Sequence, residues 1–274
     1  MGTSIQKRSW IKVWAFLFLT GVPGLAQAQL SLTSLGNSAQ TTVLANALSS
    51  TLVIRTLEPA TDLGRFGGGF GIAAGAVIPT SLTTLAGITA APIIPGGNPY
   101  VSLFAPFGIS ADFSYIPPIT ISSVTFNSVG ANLRWAFTRL FPDVLPISMA
   151  VQATFTSGGF SNVQPFSGGT LTIGVNDLIF GGSLIVSKQL LFFEPYVAAG
   201  FLNQSTTLTA TTAGTAAVLL AYQGTANPQI ERVSAIGFDF RAGFQIKAFV
   251  FILGAEYENS WGNHGLNARI GVKI

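Results

Sequence analysis

The last forty residues constrain this chain more than any other feature. Ile236, Phe238, Phe240, Ala242, Phe244 and Ile246 occupy alternate positions, with Ala235, Gly237, Asp239, Arg241, Gly243 and Gln245 between them. Leu266, Ala268, Ile270, Val272 and Ile274 repeat the pattern against Gly265, Asn267, Arg269, Gly271 and Lys273. Successive side chains of a strand point to opposite faces, so each segment has one apolar face and one face of small residues with a few charges.

The pattern recurs upstream. Ile109, Ala111, Phe113 and Tyr115 oppose Gly108, Ser110, Asp112 and Ser114. Val129, Ala131, Leu133, Trp135 and Phe137 oppose Gly130, Asn132, Arg134 and Ala136, and Ile147, Met149, Val151, Ala153 and Phe155 oppose Ser148, Ala150, Gln152 and Thr154. Weaker strands fall at 65–77, 170–187, 191–203 and 249–258, where Glu256 shares the less apolar face. These nine need a tenth, because bacterial barrels have an even strand number. Residues 48–57, 80–94 and 205–225 are the candidates, and eight or twelve strands stay open.

A soluble β-sandwich also alternates, but it turns its second face to water and fills it with Lys and Glu. Here charged residues are 8% of the chain, against about 25% in soluble domains. Gly, Ala, Ser, Thr and Asn dominate the second face, which suits a narrow barrel interior. An arginine or lysine on a lipid face costs about 2–4 kcal/mol at the midplane, and these strands keep charge on the other side. Aromatic residues near strand ends (Tyr115, Trp135, Phe137, Phe155, Phe193, Tyr257, Trp261) suit interfacial girdles or ordinary packing. The fold class is therefore all-β, a transmembrane antiparallel barrel of about ten strands with a short N-terminal helical segment.

The N-terminus reads as an export signal. Lys7, Arg8 and Lys12 precede the apolar run V-W-A-F-L-F-L-T-G-V and then Ala26-Gln27-Ala28, the three-part layout of a secretory signal peptide. The run is shorter than the roughly 20 residues of a spanning helix, and Pro23 and Gly24 interrupt it. Cleavage after Ala28 leaves ten basic against ten acidic residues, so the net charge gives no reason to expect nucleic acid. Cysteine is absent, which excludes disulfides and a lipid-modified N-terminal cysteine. The domain division is 1–28 signal peptide, 29–60 N-terminal segment, and 61–274 barrel. In that segment Leu44, Leu48 and Leu52 follow an Asn37 or Ser38 cap at helical spacing, so a short helix is expected to cap the mouth, plug the lumen or act as a tether.

Connections at 140–146, 187–191 and 245–249 are short, whereas 116–123, 157–169 and the low-complexity 204–232 are read as long loops. Short periplasmic turns and longer extracellular loops are the habit of outer-membrane barrels.

S-Y-I-P-P-I-T-I, S-V-G-A-N-L-R-W and L-F-P-D-V-L-P-I-S-M-A-V-Q-A-T-F, between Pro106 and Ser157, resemble a family of uncharacterised bacterial outer-membrane β-barrel proteins known as a domain of unknown function. The resemblance extends loosely to 69–80 and the terminal strand. It implies the barrel fold and the outer membrane, and supplies no catalytic residue. Such barrels usually end in an aromatic residue read by the insertion machinery; this chain ends in Ile274.

Asp112, Arg134, Asp239, Arg241, Glu256 and Arg269 are the candidate lumen-lining charges. They number three acids and three bases, and are expected to pair across the lumen or to select a solute. His264 lies near Glu258 and Ser260, a composition that can make a nucleophilic constellation, although polar turns collect the same residues. Glycine runs lack the Lys and Ser/Thr of a phosphate loop, and no cluster has metal spacing. The expectation is a non-enzyme with no cofactor and no metal. Its partners are outer-membrane lipid, the insertion machinery and, for a narrow channel, a small or apolar solute. The alternative is a closed structural or surface-interaction barrel that binds partners through its extracellular loops.

Overall fold

The computed structural model describes residues 38–61, 66–84, 93–121, 124–140, 146–166, 169–214 and 228–274. The signal-peptide reading of 1–28 therefore lies outside the described residues, as do parts of the connections at 140–146 and 204–232. A helix, α1 (Ser38–Leu52), precedes ten strands. These are β1 (Gly67–Ile78), β2 (Ile94–Ala105), β3 (Ile109–Ile121), β4 (Val124–Trp135), β5 (Ser148–Phe166), β6 (Gly169–Ser187), β7 (Phe193–Gly214), β8 (Gln229–Ala248), β9 (Phe251–Ser260) and β10 (Asn263–Lys273). Each pairs antiparallel with its sequence neighbour, and β1 closes on β10 from Gly69 opposite Lys273 to Ile78 opposite His264. Closure leaves no edge strand, which is what a sheet in lipid requires.

The tenth strand is β2, and it lies in none of the three stretches expected to supply it, apart from its first residue. Pro95, Gly96, Gly97 and Pro99 disguise it, since proline and glycine are poor strand formers. The pairing explains the tolerance: β3 meets β2 only from Tyr100 to Ala105, so Ile94–Pro99 pairs on one side alone, with β1.

The lipid-facing belt follows the alternation. Ile236, Phe238, Phe240 and Phe244 on β8, Val197 and Phe201 on β7, Phe180 and Leu184 on β6, and Leu266 and Ile270 on β10 are all exposed on the outer face. The ten steps of β8 from Ile236 to Ile246, at about 3.4 Å each and a tilt near 40°, cover about 26 Å, the height of the apolar band of such barrels.

Strands β5 to β8 do not stop at the edge of this belt. The described residues within 116–123, 157–169 and 204–232, stretches expected to be loops, are strand apart from Pro228, with β7 running on to Gly214 and β8 starting at Gln229. Above Phe201 the sense of the alternation inverts. Leu208 and Ala210 face inward and are buried, as do Ile173 and Val175 on β6 and Val233 on β8, while Asn176, Asn203, Ser205 and Ser234 are exposed on the outer face. Water has replaced lipid outside, so the outer face becomes polar.

Both chain ends of the barrel lie at one mouth, here the terminal mouth, where the connection from β4 to β5 runs over 136–147 and the other three turns are tight. Phe107, Leu191 and Phe249 sit in them with φ of 67°, 57° and 56°, left-handed values that cost a bulky residue about 1 kcal/mol or more. At the opposite, far mouth stand the raised hairpins. On the inner wall Tyr100 lies across two glycines: a Cβ on Gly71 or Gly271 would come within 2.6 Å of its hydroxyl.

Candidate functional site: the plugged lumen

Residues 44–61 of the N-terminal segment, here the plug, lie inside the barrel against its inner wall. Leu44, Ala47 and Leu48 of α1 bury against Leu82, Val175 and Leu208, the inward apolar face of the raised wall. Polar contacts pin the same helix: Gln204 Nε2 donates to Asn46 Oδ1 at 2.6 Å, Asn263 Nδ2 donates to the Asn46 carbonyl at 3.2 Å, and the Ser49 and Thr206 hydroxyls meet at 3.3 Å.

Beyond the helix, residues 53–61 run down the barrel axis as an extended strap. The Ile54 amide donates to Thr156 Oγ1 at 3.2 Å, and Asn132 Nδ2 donates to Thr56 Oγ1 at 3.2 Å. Leu57 packs with Ala73 and Tyr100. Near the terminal mouth the Ala60 amide donates to Ser187 Oγ at 3.1 Å, and Thr61 donates to Glu194, which Lys247 Nζ also holds at 2.7 Å.

Glu58 is the electrostatic centre of the strap. Its carboxylate receives Arg134 at 2.9 Å, Arg269 at 2.5 Å and Lys273 at 2.7 Å, and is wholly buried. Arg134, 1% exposed, also donates to the Pro59 carbonyl at 2.9 Å and Ser110 Oγ at 3.1 Å. Arg269 donates further to the Thr56 carbonyl and to Gln245. Burying the Glu58 carboxylate alone would be costly, and the three cations around it supply the compensating charge. One turn up the strap, Arg55 pairs with Glu258, which Asn267 Nδ2 also reaches at 3.2 Å.

All six lumen charges named from sequence face inward, as their strand positions require. The ladder expected among them does not form. Only Asp239 and Arg241 pair with each other, at 3.0 Å. Arg134 and Arg269 both turn to Glu58 of the strap. Asp112 accepts from Ser102 Oγ at 2.5 Å, and Glu256 from Tyr196 Oη at 2.8 Å. Burying a charge is costly unless it is paired and hydrogen-bonded, and the plug supplies the partners that the wall lacks.

The His264 constellation is taken apart by the alternation. His264 lies on the outer face beside Tyr257, whose hydroxyl stands 2.7 Å from Nδ1, while Glu258 and Ser260 face the lumen and are engaged by Arg55 and Asp239. An imidazole and a hydroxyl on opposite faces of a sheet cannot exchange a proton directly.

The residues that sequence reasoning missed are Arg55, Glu58, Glu194, Lys247 and Lys273. A signal for the first two was present. V-I-R-T-L-E-P-A puts two charges into an apolar, non-alternating stretch of a chain that carries few charges, and such charges need partners inside the fold.

A closed ten-stranded barrel with a belt of exposed apolar side chains and a charged, buried interior is a transmembrane β-barrel. The chain belongs to a family of unknown function, DUF6588, whose model matches residues 11–274. No curated protein matches it. Among solved structures, the chain is similar to the translocator domain of the autotransporter NalP from Neisseria meningitidis. That match has 11% identity and a TM-score of 0.48, and covers 89% of this chain and 99% of that one. It is also similar to Ail, the attachment invasion locus protein of Yersinia pestis, at 12% identity and a TM-score of 0.29, covering 77% and 99%. The N-terminal β-barrel domain of Pseudomonas aeruginosa OprF is a third, at 10% identity and 0.30, covering 77% and 100%.

Proposed function

We propose that this protein is an outer-membrane barrel held shut by its own N-terminal segment, with the raised wall of β5–β8 and the far-mouth loops as the surface that meets partners outside the cell. The observation that carries this reading is the buried Glu58 cluster. A strap tied to three cations of the wall occupies the path that a solute would take. The tight turns at the terminal mouth and the raised hairpins opposite support a periplasmic terminal mouth and an extracellular far mouth. Export through a signal peptide at 1–28, recognition of β10 by the insertion machinery despite Ile274, and outer-membrane lipid around the belt belong to the same reading. No catalytic role is assigned.

A second reading, a gated narrow channel for small or apolar solutes, is favoured by one feature. Among the described residues, the plug joins no strand of the sheet and is fastened by side chains, so it can leave without breaking the barrel's backbone ladder. Planar-bilayer recording of the intact protein and of a variant lacking 38–61 separates the two. Silence from the intact chain and steady conductance from the variant support the closed barrel. Regular openings of the intact chain, carrying a solute, overturn it in favour of the channel.

A further inference from the structure

The contacts of the plug give its direction. Thr61 meets Glu194, the second residue of β7, and Ala60 meets Ser187, the last of β6, both at the terminal mouth. Glu58 meets Lys273, the last of β10. Higher up, Ile54 reaches Thr156 and Arg55 reaches Glu258, third from the far end of β9. Asn46 then contacts Asn263, the first residue of β10 at the far mouth, and Leu44, Ala47 and Leu48 pack with Leu82, in the connection that follows β1 there. Reading backward from 61, the polypeptide rises from the terminal mouth to the far one, where α1 lies against Asn263, Leu82 and Leu208.

We infer that the chain enters the barrel from its far mouth, so that α1 stands toward the outer surface of the cell. Among the described residues the chain then runs the height of the barrel eleven times, ten times as strand and once, inward, as plug. The inference rests on the outer-membrane orientation proposed above. Its consequence is a handle: among the described residues the ion pairs of the plug begin only at Arg55, whereas the outer half of α1 is held by neutral amides, hydroxyls and leucines. A surface partner that grasps the leading segment therefore draws first on the weaker end of the plug.

An epitope inserted between Leu30 and Ser31 tests this, probed by antibody on intact cells and on cells with a permeabilised outer membrane. Two further insertions calibrate the sides, one between Gly214 and Thr215 at the far mouth and one between Gln189 and Leu190 at the terminal mouth. Heat-modifiable gel migration identifies tagged proteins that fold. Where the leading tag prevents folding, Ser34→Cys with a membrane-impermeant maleimide replaces it, since the chain has no other cysteine. The expected result is that the leading tag is detected on intact cells together with the 214/215 tag. Detection only alongside the 189/190 tag overturns the inference, and so does a leading tag hidden in both preparations but visible on a denaturing blot. If the 189/190 tag is the one exposed on intact cells, the orientation has failed. The side with which the leading tag agrees still decides the threading.

Discussion

Glu58→Gln isolates the element that closes the lumen. The substitution keeps the size of the side chain and one acceptor oxygen, and removes the charge that three cations share. Breaking a buried ion pair from one side costs about 3–5 kcal/mol. The retained acceptor argues for the lower end, about 3 kcal/mol. At about 1.4 kcal/mol per tenfold change, the ratio of unseated to seated plug rises roughly 150-fold, and about 4000-fold at the upper end. The barrel ladder is untouched, because Glu58 belongs to no strand. Single-channel recording of the wild type, the variant and the chain lacking 38–61 reads the effect directly: the variant is expected to open in bursts to the conductance level of the deletion. A folded, heat-modifiable Glu58→Gln barrel whose open probability rises less than about tenfold would refute the claim that this cluster seats the plug.

Three other outcomes follow from the geometry. Phe240→Arg, on the outer face midway up β8, destabilises insertion by about 2–4 kcal/mol, whereas Asn176→Arg above the belt changes it little; folding titrations into lipid vesicles measure both. Leu48→Ala opens a gap against Leu82, Val175 and Leu208 and costs about 2–4 kcal/mol, read as faster amide exchange in α1 with the strands unaffected. Gly271→Ala drives a methyl group towards the Tyr100 hydroxyl and lowers barrel stability by about 1–3 kcal/mol, which a thermal melt detects and Tyr100→Phe partly relieves.

The strands inside the belt were legible because lipid enforces one rule on every outward side chain, so Ile236 to Ile246 and Leu266 to Ile274 announce themselves. The raised wall was not, because the rule reverses at the membrane surface. T-T-L-T-A-T-T reads as a low-complexity loop until Leu208 and Ala210 are seen to face inward and Thr207, Thr209 and Thr211 outward. β2 was hidden by prolines that are tolerated only where it pairs with β1 alone and not with β3. The facing of Asp112, Arg134, Asp239, Arg241, Glu256 and Arg269 followed from parity along each strand. Their partners did not, because alternation says which way a charge points and nothing about what stands opposite it in the lumen. Glu58 and Arg55 lie in a stretch without periodicity, and only the helix ahead of them, marked by Leu44, Leu48 and Leu52, hinted that the stretch has a place in the fold.

The seam between β1 and β10 has a bearing on the order of assembly. The plug is synthesised before every strand of the wall, and Lys273, which reaches Glu58, belongs to the strand made last. A ring already closed would have to admit a helix and a strap through its middle. A ring that closes around them only has to zip Gly69 to Lys273 and the nine pairs beyond. The final zipping step therefore completes the wall and delivers the last cation to the strap in one event, so a barrel that fails to close is also one that fails to lock.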